Sequence, residues 1–147
     1  MTAILSRARV LAHQPSRLPW PLPVVASAAL LTGGYEHLSL YRRGYRFIPT
    51  IGVLFALNVA ASAAFGILAL VRREVVVRLA ALAVSVTTLG FFGASRLPGG
   101  VFRFQERGLQ PSPQAIIALI AEVIATAVLA VSFVWDVRDL DLAPDSG

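Results

Sequence analysis

The chain has 147 residues, of which 56% are hydrophobic and 14% charged, with a mean hydropathy of +0.72. A soluble domain carries about 25% charged residues, so this composition argues against a water-exposed globular fold and places the chain among membrane proteins. With no Cys, thiolate catalysis, disulfide exchange and zinc–thiolate sites are excluded. All 13 basic residues are Arg and the net charge is +5. They fall between apolar runs, where they set topology and meet anionic headgroups, so no nucleic-acid partner is expected.

Residues 1–17 carry Arg7, Arg9, His13 and Arg17 and read as an uncleaved basic tail, since no small-residue cleavage site follows. The first span is expected over 19–40, opening at Trp20 between two prolines. Its cleanly apolar part, Val24 to Leu31, is too short to cross a hydrocarbon core of about 30 Å. The helix must therefore run on through Gly33, Gly34, Glu36 and His37, which sets both titratable groups inside the far interface.

A second span over 49–71 begins at Pro49 and carries Asn58, Ser62 and Gly66 every fourth residue, a small polar stripe suited to close helix contact. Arg72-Arg73-Glu74 makes a charged turn into a third span over 75–97, where Arg78 is expected to snorkel back to the surface. Ala81, Ser85, Thr88, Phe92 and Ser95 repeat along it in a coiled-coil-like seam. Pro98-Gly99-Gly100 ends it, and a loop with Phe102, Arg103, Phe104, Glu106 and Arg107 suits the headgroup layer. Ser112 and Pro113 read as N-cap and first-turn Pro of a fourth span over 113–135, closed by Trp135. An acidic, disordered tail is expected over 137–147.

Four spans with short links predict an all-α integral membrane protein, a four-helix up-down-up-down bundle filling 18–136. Near the spans, the side of the termini carries Arg7, Arg9, Arg17, Arg72, Arg73, Arg78 and Arg138, and the other side Arg42, Arg43, Arg46, Arg96, Arg103 and Arg107. The two sets are nearly balanced, so the positive-inside rule does not orient the chain. The short turn at Arg72 favours cytoplasmic termini in a multi-pass protein of the cell membrane.

Helix rise then locates the polar residues in depth. Asn58 lies nine residues past Pro49, Glu122 nine past Pro113, Thr88 nine before Leu97 and Ser27 nine before Glu36. All four are expected roughly 13 Å below the surface that holds the loops at 35–49 and 96–113. In this layer Glu122 is the ionisable member, and such a group is costly unless paired or neutral. A neutral Glu122 is expected to donate to Asn58 or Thr88, either as the working group of a site or as helix-to-helix glue.

Above the layer, His37 shares a helix face with Ser27 and Gly34, while Glu36 is turned about 100° away. His37 is expected at a mouth where Arg46, Arg96, Glu106 and Arg107 gather, open to a lipid headgroup or a quinone. The alternative is an interfacial histidine held by a loop carbonyl, with the arginines on phosphates. No metal site or cofactor is expected, because His37 and Glu36 stand about 20 Å from Glu122 in depth, taken from helix rise, and a closed ligand set is missing. Gly33-Gly34 is expected to allow close helix approach and Gly99-Gly100 a turn. Tyr35, Tyr41, Tyr45, Trp20 and Trp135 read as an aromatic belt.

The pieces His37-Leu-Ser-Leu-Tyr41, Gly44-Tyr-Arg-Phe-Ile-Pro-Thr-Ile-Gly52 through Asn58, and Leu97-Pro-Gly-Gly-Val-Phe-Arg-Phe-Gln-Glu-Arg-Gly-Leu-Gln-Pro111 resemble small four-span membrane proteins of actinobacteria. The resemblance covers the spans but not the tails and carries no catalytic residues. The layout is also similar to that of the DoxX-like and vitamin K epoxide reductase-like groups, although the redox cysteines of the latter are absent here.

Three functions compete. The first is a non-enzymatic accessory or assembly subunit, presenting outer loops and small-residue faces to a membrane partner or to a second copy. The second is a carrier or binder of a small amphiphile, such as a lipid or quinone, or of a proton, using Glu122 and His37. The third is a membrane enzyme whose acid/base pair would be His37 with Glu106.

Overall fold

The computed structural model describes residues 19–72 and 74–141. The basic tail over 1–17, with His13, and the end of the acidic tail lie outside the described residues. Among the described residues four helices follow one another: α1 (Pro21–Arg42), α2 (Ile51–Val71), α3 (Val75–Ala94) and α4 (Gln114–Asp141), with a 3-10 turn over Tyr45–Phe47 between the first two. Among the described residues there is no strand; Val101 and Phe104 form an isolated antiparallel bridge. Three segments are long and apolar enough to cross a membrane, namely α2, α3 and Gln114–Asp136 of α4. α1 is as long, at 22 residues, but Gly33, Gly34, Glu36 and His37 dilute its apolar character.

The helix ends follow local chemistry. Pro21 opens α1, where its missing N–H is no loss. Beyond Arg43 the backbone reverses at Gly44, whose φ of 135° belongs to the region glycine tolerates. The 3-10 turn then folds onto the start of α2 so closely that a Cβ at Gly52 would lie 2.8 Å from the Arg46 carbonyl oxygen. At α4 the expected cap moves by one residue. The Pro113 carbonyl accepts from Ile116 (3.1 Å) and Ile117 (3.0 Å), so Pro113 rather than Ser112 stands at the helix boundary. The same helix continues beyond Trp135 to Asp141, where a disordered acidic tail was expected.

α1 packs on α2 and α4, and α3 closes the ring by packing on the same two helices. In lipid, burying apolar surface between helices brings no hydrophobic gain, so tight contact over small residues has to hold them together. The predicted stripe on α2 serves this purpose. A Cβ at Gly34 would stand 2.8 Å from Ser62 Cβ, and one at Gly66 2.8 Å from Leu31 Cγ. Ala26, Ala29, Leu30, Ala81, Ala125 and Leu129 form the core beneath, with Phe65, Leu82 and Val128 against it. Large apolar side chains such as Val53, Leu57, Ile67, Val86, Ile120 and Val131 remain on the outside, where lipid would solvate them.

Arg78 does not snorkel. Its side chain is 7% exposed and forms an ion pair with Asp136, itself 6% exposed. Arg78 lies one turn into α3 and Asp136 near the end of α4, so the two groups meet at one level. Removing one partner of a buried pair takes away the counter-ion of the other, at a cost of up to about 3–5 kcal/mol.

Asp136→Ala is therefore expected to lower unfolding free energy in detergent by that amount, with Arg78→Met/Asp136→Leu recovering most of it. Overpacking at Gly34 by Gly34→Leu is expected to cost about 1–3 kcal/mol. Gly90→Ala, at a helical site with nothing within 4 Å, should be neutral or gain up to about 1 kcal/mol. Equal thermal shifts for the two glycine variants would contradict this account of α1–α2 packing.

Candidate functional site

A cavity of about 400 Å³ occupies the half of the bundle nearest the connections at 43–50 and 95–113. All four helices line it, as does the loop that returns from α3 to α4. Its walls are largely apolar, and its polar groups collect at two levels.

The deeper level contains Asn58, Thr88 and Glu122. Asn58 Nδ2 donates to Thr88 Oγ1 at 2.6 Å, Thr88 donates to the Val84 carbonyl at 2.9 Å, and Ser62 donates to Asn58 Oδ1 at 3.3 Å. Glu122 does not join them, contrary to the expectation that it would donate to Asn58 or Thr88. It is 2% exposed, and both carboxyl oxygens lack a hydrogen-bond partner. Ser85 interacts with it electrostatically without reaching hydrogen-bond geometry. The carboxyl rests instead against Gly33, where a Cβ would stand 2.9 Å from Oε1.

That contact corrects the depth assigned to α1. Counting from Glu36 sets Ser27 at this level, but α1 runs on to Arg42, and nine residues below Arg42 is Gly33. Ser27 is buried farther down, beside Gly66. His37 therefore stands one turn, about 6 Å, above Glu122 rather than 20 Å away. Its Nδ1 lies 2.8 Å from the Gly33 carbonyl oxygen. A carbonyl only accepts, so Nδ1 carries the proton and Nε2 of the neutral ring is left as an acceptor. The imidazole packs on Phe55 at 5.1 Å, with Tyr45 on the same ring at 4.8 Å. Gly33 thus serves both groups, giving its carbonyl to His37 and its missing side chain to Glu122.

The upper level is organised by Arg96. Its Nε donates to Gly108 O (2.7 Å), Nη1 to Phe92 O (2.8 Å) and Ser95 Oγ (2.7 Å), and Nη2 to Glu106 Oε2 (3.1 Å) and Gln110 O (3.2 Å). The guanidinium also lies 3.4 Å from the centre of the Phe92 ring. Tyr45 donates to the other oxygen of Glu106. The loop reaches this geometry through positive φ at Gly99 and Gly100 and again at Phe102 and Arg103. Between Val101 and Phe104 this makes a tight hairpin turn of the primed kind. The Glu106 N–H then donates to Ser95 O at 2.9 Å, which returns the carboxylate beneath Arg96.

Of the residues expected at the mouth, His37, Arg96 and Glu106 line the cavity. Arg46 is exposed and lies over Phe47, and Arg107 is exposed in the loop. Glu36 is buried on α1 away from the cavity lining. Both oxygens of Glu106 are engaged by Tyr45 and Arg96 rather than by His37. Tyr45 belongs to this network and not to an interfacial belt, whereas Trp20, Tyr35 and Trp135 are exposed. Among the described residues no three of His, Cys, Asp and Glu come close enough to hold a metal ion. Compared with protein-family models, with curated proteins and with solved structures, the chain matches none.

Sequence reasoning missed Gly33 as the contact of Glu122 and His37, and Tyr45 as the partner of Glu106. The first had a signal, since a glycine pair inside a span marks close approach. The second had none, because 61 residues separate Tyr45 from Glu106.

Burial, and then the bond to Glu106, raise the Tyr45 phenol above its ordinary value of 10.0. The folded state thus favours the protonated phenol. Its contribution to stability is fully present below the unfolded value and lost as pH climbs through the folded one. In alkaline titration followed by tyrosinate absorbance, one of the three tyrosines should ionise well after the others, and Tyr45→Phe should delete that late step alone.

Proposed function

We propose that the chain is a four-span protein of the cell membrane that binds and carries a small amphiphile in its bundle cavity. The observation that carries this reading is the cavity, whose walls are apolar between two levels of ordered polar groups. Its volume of about 400 Å³ falls in the range of about 300–1,000 Å³ usual for small-molecule sites. Small-residue faces were the other candidate for binding a partner, but Ser62 and Gly66 are already covered by α1.

α1 supplies the fourth span in this reading. Its 22 residues reach about 33 Å, with Ala26, Ser27, Leu30, Gly33 and Gly34 buried and Val24, Val25, Leu31 and Tyr35 exposed. An up-down-up-down course agrees with Arg78 at the start of α3 meeting Asp136 near the end of α4, as neighbours running in opposite directions do. Cytoplasmic termini, with the short turn at Arg72 on the same side, complete the arrangement.

An accessory role, with the outer loops docked on another membrane protein or a second copy, keeps one supporting observation. Phe47 and Phe102 are 75% and 60% exposed on the loops of one side.

The cavity reading is tested with naphthylethanol, an uncharged amphiphile, added to the full chain in phosphatidylcholine nanodiscs. Saturable binding above that of empty nanodiscs is expected. Ala61→Phe, which fills a lining position, should weaken it at least tenfold without loss of helicity. Unchanged binding in this variant would place the probe elsewhere and remove the cavity as a site.

A further inference from the structure

The polar groups around the cavity are unequally satisfied, and the inequality defines what a ligand must offer. The donors are largely used. Arg96 spends its guanidinium on four backbone or hydroxyl oxygens and on Glu106. Tyr45 donates to Glu106, Thr88 to Val84 O and Ser95 to Phe92 O. One N–H of Asn58 is spent on Thr88, so the other, the Thr87 hydroxyl and the Ser85 hydroxyl next to Glu122 are what remain on the donor side. The strong acceptors are unspent: the Nε2 lone pair of His37 and the Glu122 carboxyl, whose two oxygens both accept once it is ionised against a bound cation. Charge is divided in the same sense, since Arg96 is balanced by Glu106 while no ion pair reaches Glu122 among the described residues. Phe55 and Phe104 also line the space, and the faces of aromatic rings attract cations.

We propose that the amphiphile is a lipophilic amine, bound as its ammonium with N–H groups directed to Glu122 and His37 Nε2 and its apolar body among the phenylalanines. This rests on the amphiphile reading and narrows it. The Glu122 oxygens are shielded where they lie against Gly33, so binding requires the side chain to turn out of that niche into the cavity it already lines. Glu side chains have staggered alternatives for such a turn. Gly33 provides the resting place: with no Cβ, it accommodates a carboxyl that any larger residue would displace, a Cβ there lying 2.9 Å from Oε1.

The experiment compares naphthylethylamine, naphthylethanol and naphthylacetate on the full chain in phosphatidylcholine nanodiscs, each corrected for empty nanodiscs. The amine is expected to bind at least tenfold more tightly than the alcohol and the carboxylate least. Glu122→Gln should erase the preference for the amine over the alcohol. Gly33→Ala, by expelling the carboxyl from its niche, should tighten amine binding. Equal binding of the three probes, a preference for the carboxylate, or an amine preference that survives Glu122→Gln would overturn the proposal while the cavity remains an amphiphile site. Binding of none of the three would overturn both readings together. The comparison among probes uses the unaltered chain, so it decides even if a variant fails to assemble.

Discussion

The arrangement depends on how closely α1 approaches its neighbours at Gly33 and Gly34. Gly34 brings its backbone against Ser62 of α2, and Gly33 brings its own against the carboxyl of Glu122 on α4. In an aqueous core such contacts would add to a hydrophobic gain. Between helices that lipid solvates equally well on their outer faces, close contact is the main source of cohesion. A single pair of residues without side chains therefore ties three helices together and sets where Glu122 rests.

The two halves of the bundle solve different problems. Toward the termini the helices interlock around Leu30, Ala81, Ala125 and Leu129 and are joined by the Arg78–Asp136 pair. Toward the loops, α2 and α3 meet sparsely and leave the cavity between them. The second ion pair, Arg96 with Glu106, lies at that open end and anchors the returning loop rather than two helices. Both pairs sit where water is scarce, so each charge is stabilised mainly by its partner and by added hydrogen bonds. Arg96 has a full set of these, which explains why a loop with positive φ at Phe102 and Arg103 holds one shape. Each such residue carries a strain of about 1–3 kcal/mol that its surroundings must offset.

Glu122 is the departure from this economy of paired groups. A carboxyl with both oxygens unsatisfied, in a segment apolar enough to cross a membrane, carries a desolvation cost that no hydrogen bond offsets. Groups of this kind in membrane spans are associated with binding and transport for that reason. His37 beside it is positioned through the Gly33 carbonyl, so the two groups share one support without bonding to each other.

What the sequence determined by itself is position along the bundle. Apolar runs bounded by Pro and Trp gave the helices to within a few residues, and a fixed rise per residue set Asn58, Thr88 and Glu122 at one level. The same rule misplaces Ser27, because depth on α1 is counted from Glu36 although the helix runs on to Arg42. Direction around each helix axis and choice of partner were decided by the tertiary structure. Asn58 took Thr88 instead of Glu122, Arg78 took Asp136 instead of the interface, and Tyr45 took Glu106 across two helices. Depth is a property of one helix and can be counted in its own residues. Pairing depends on how closely two separate helices pack, and at Gly33 that distance is set by a side chain that is not there.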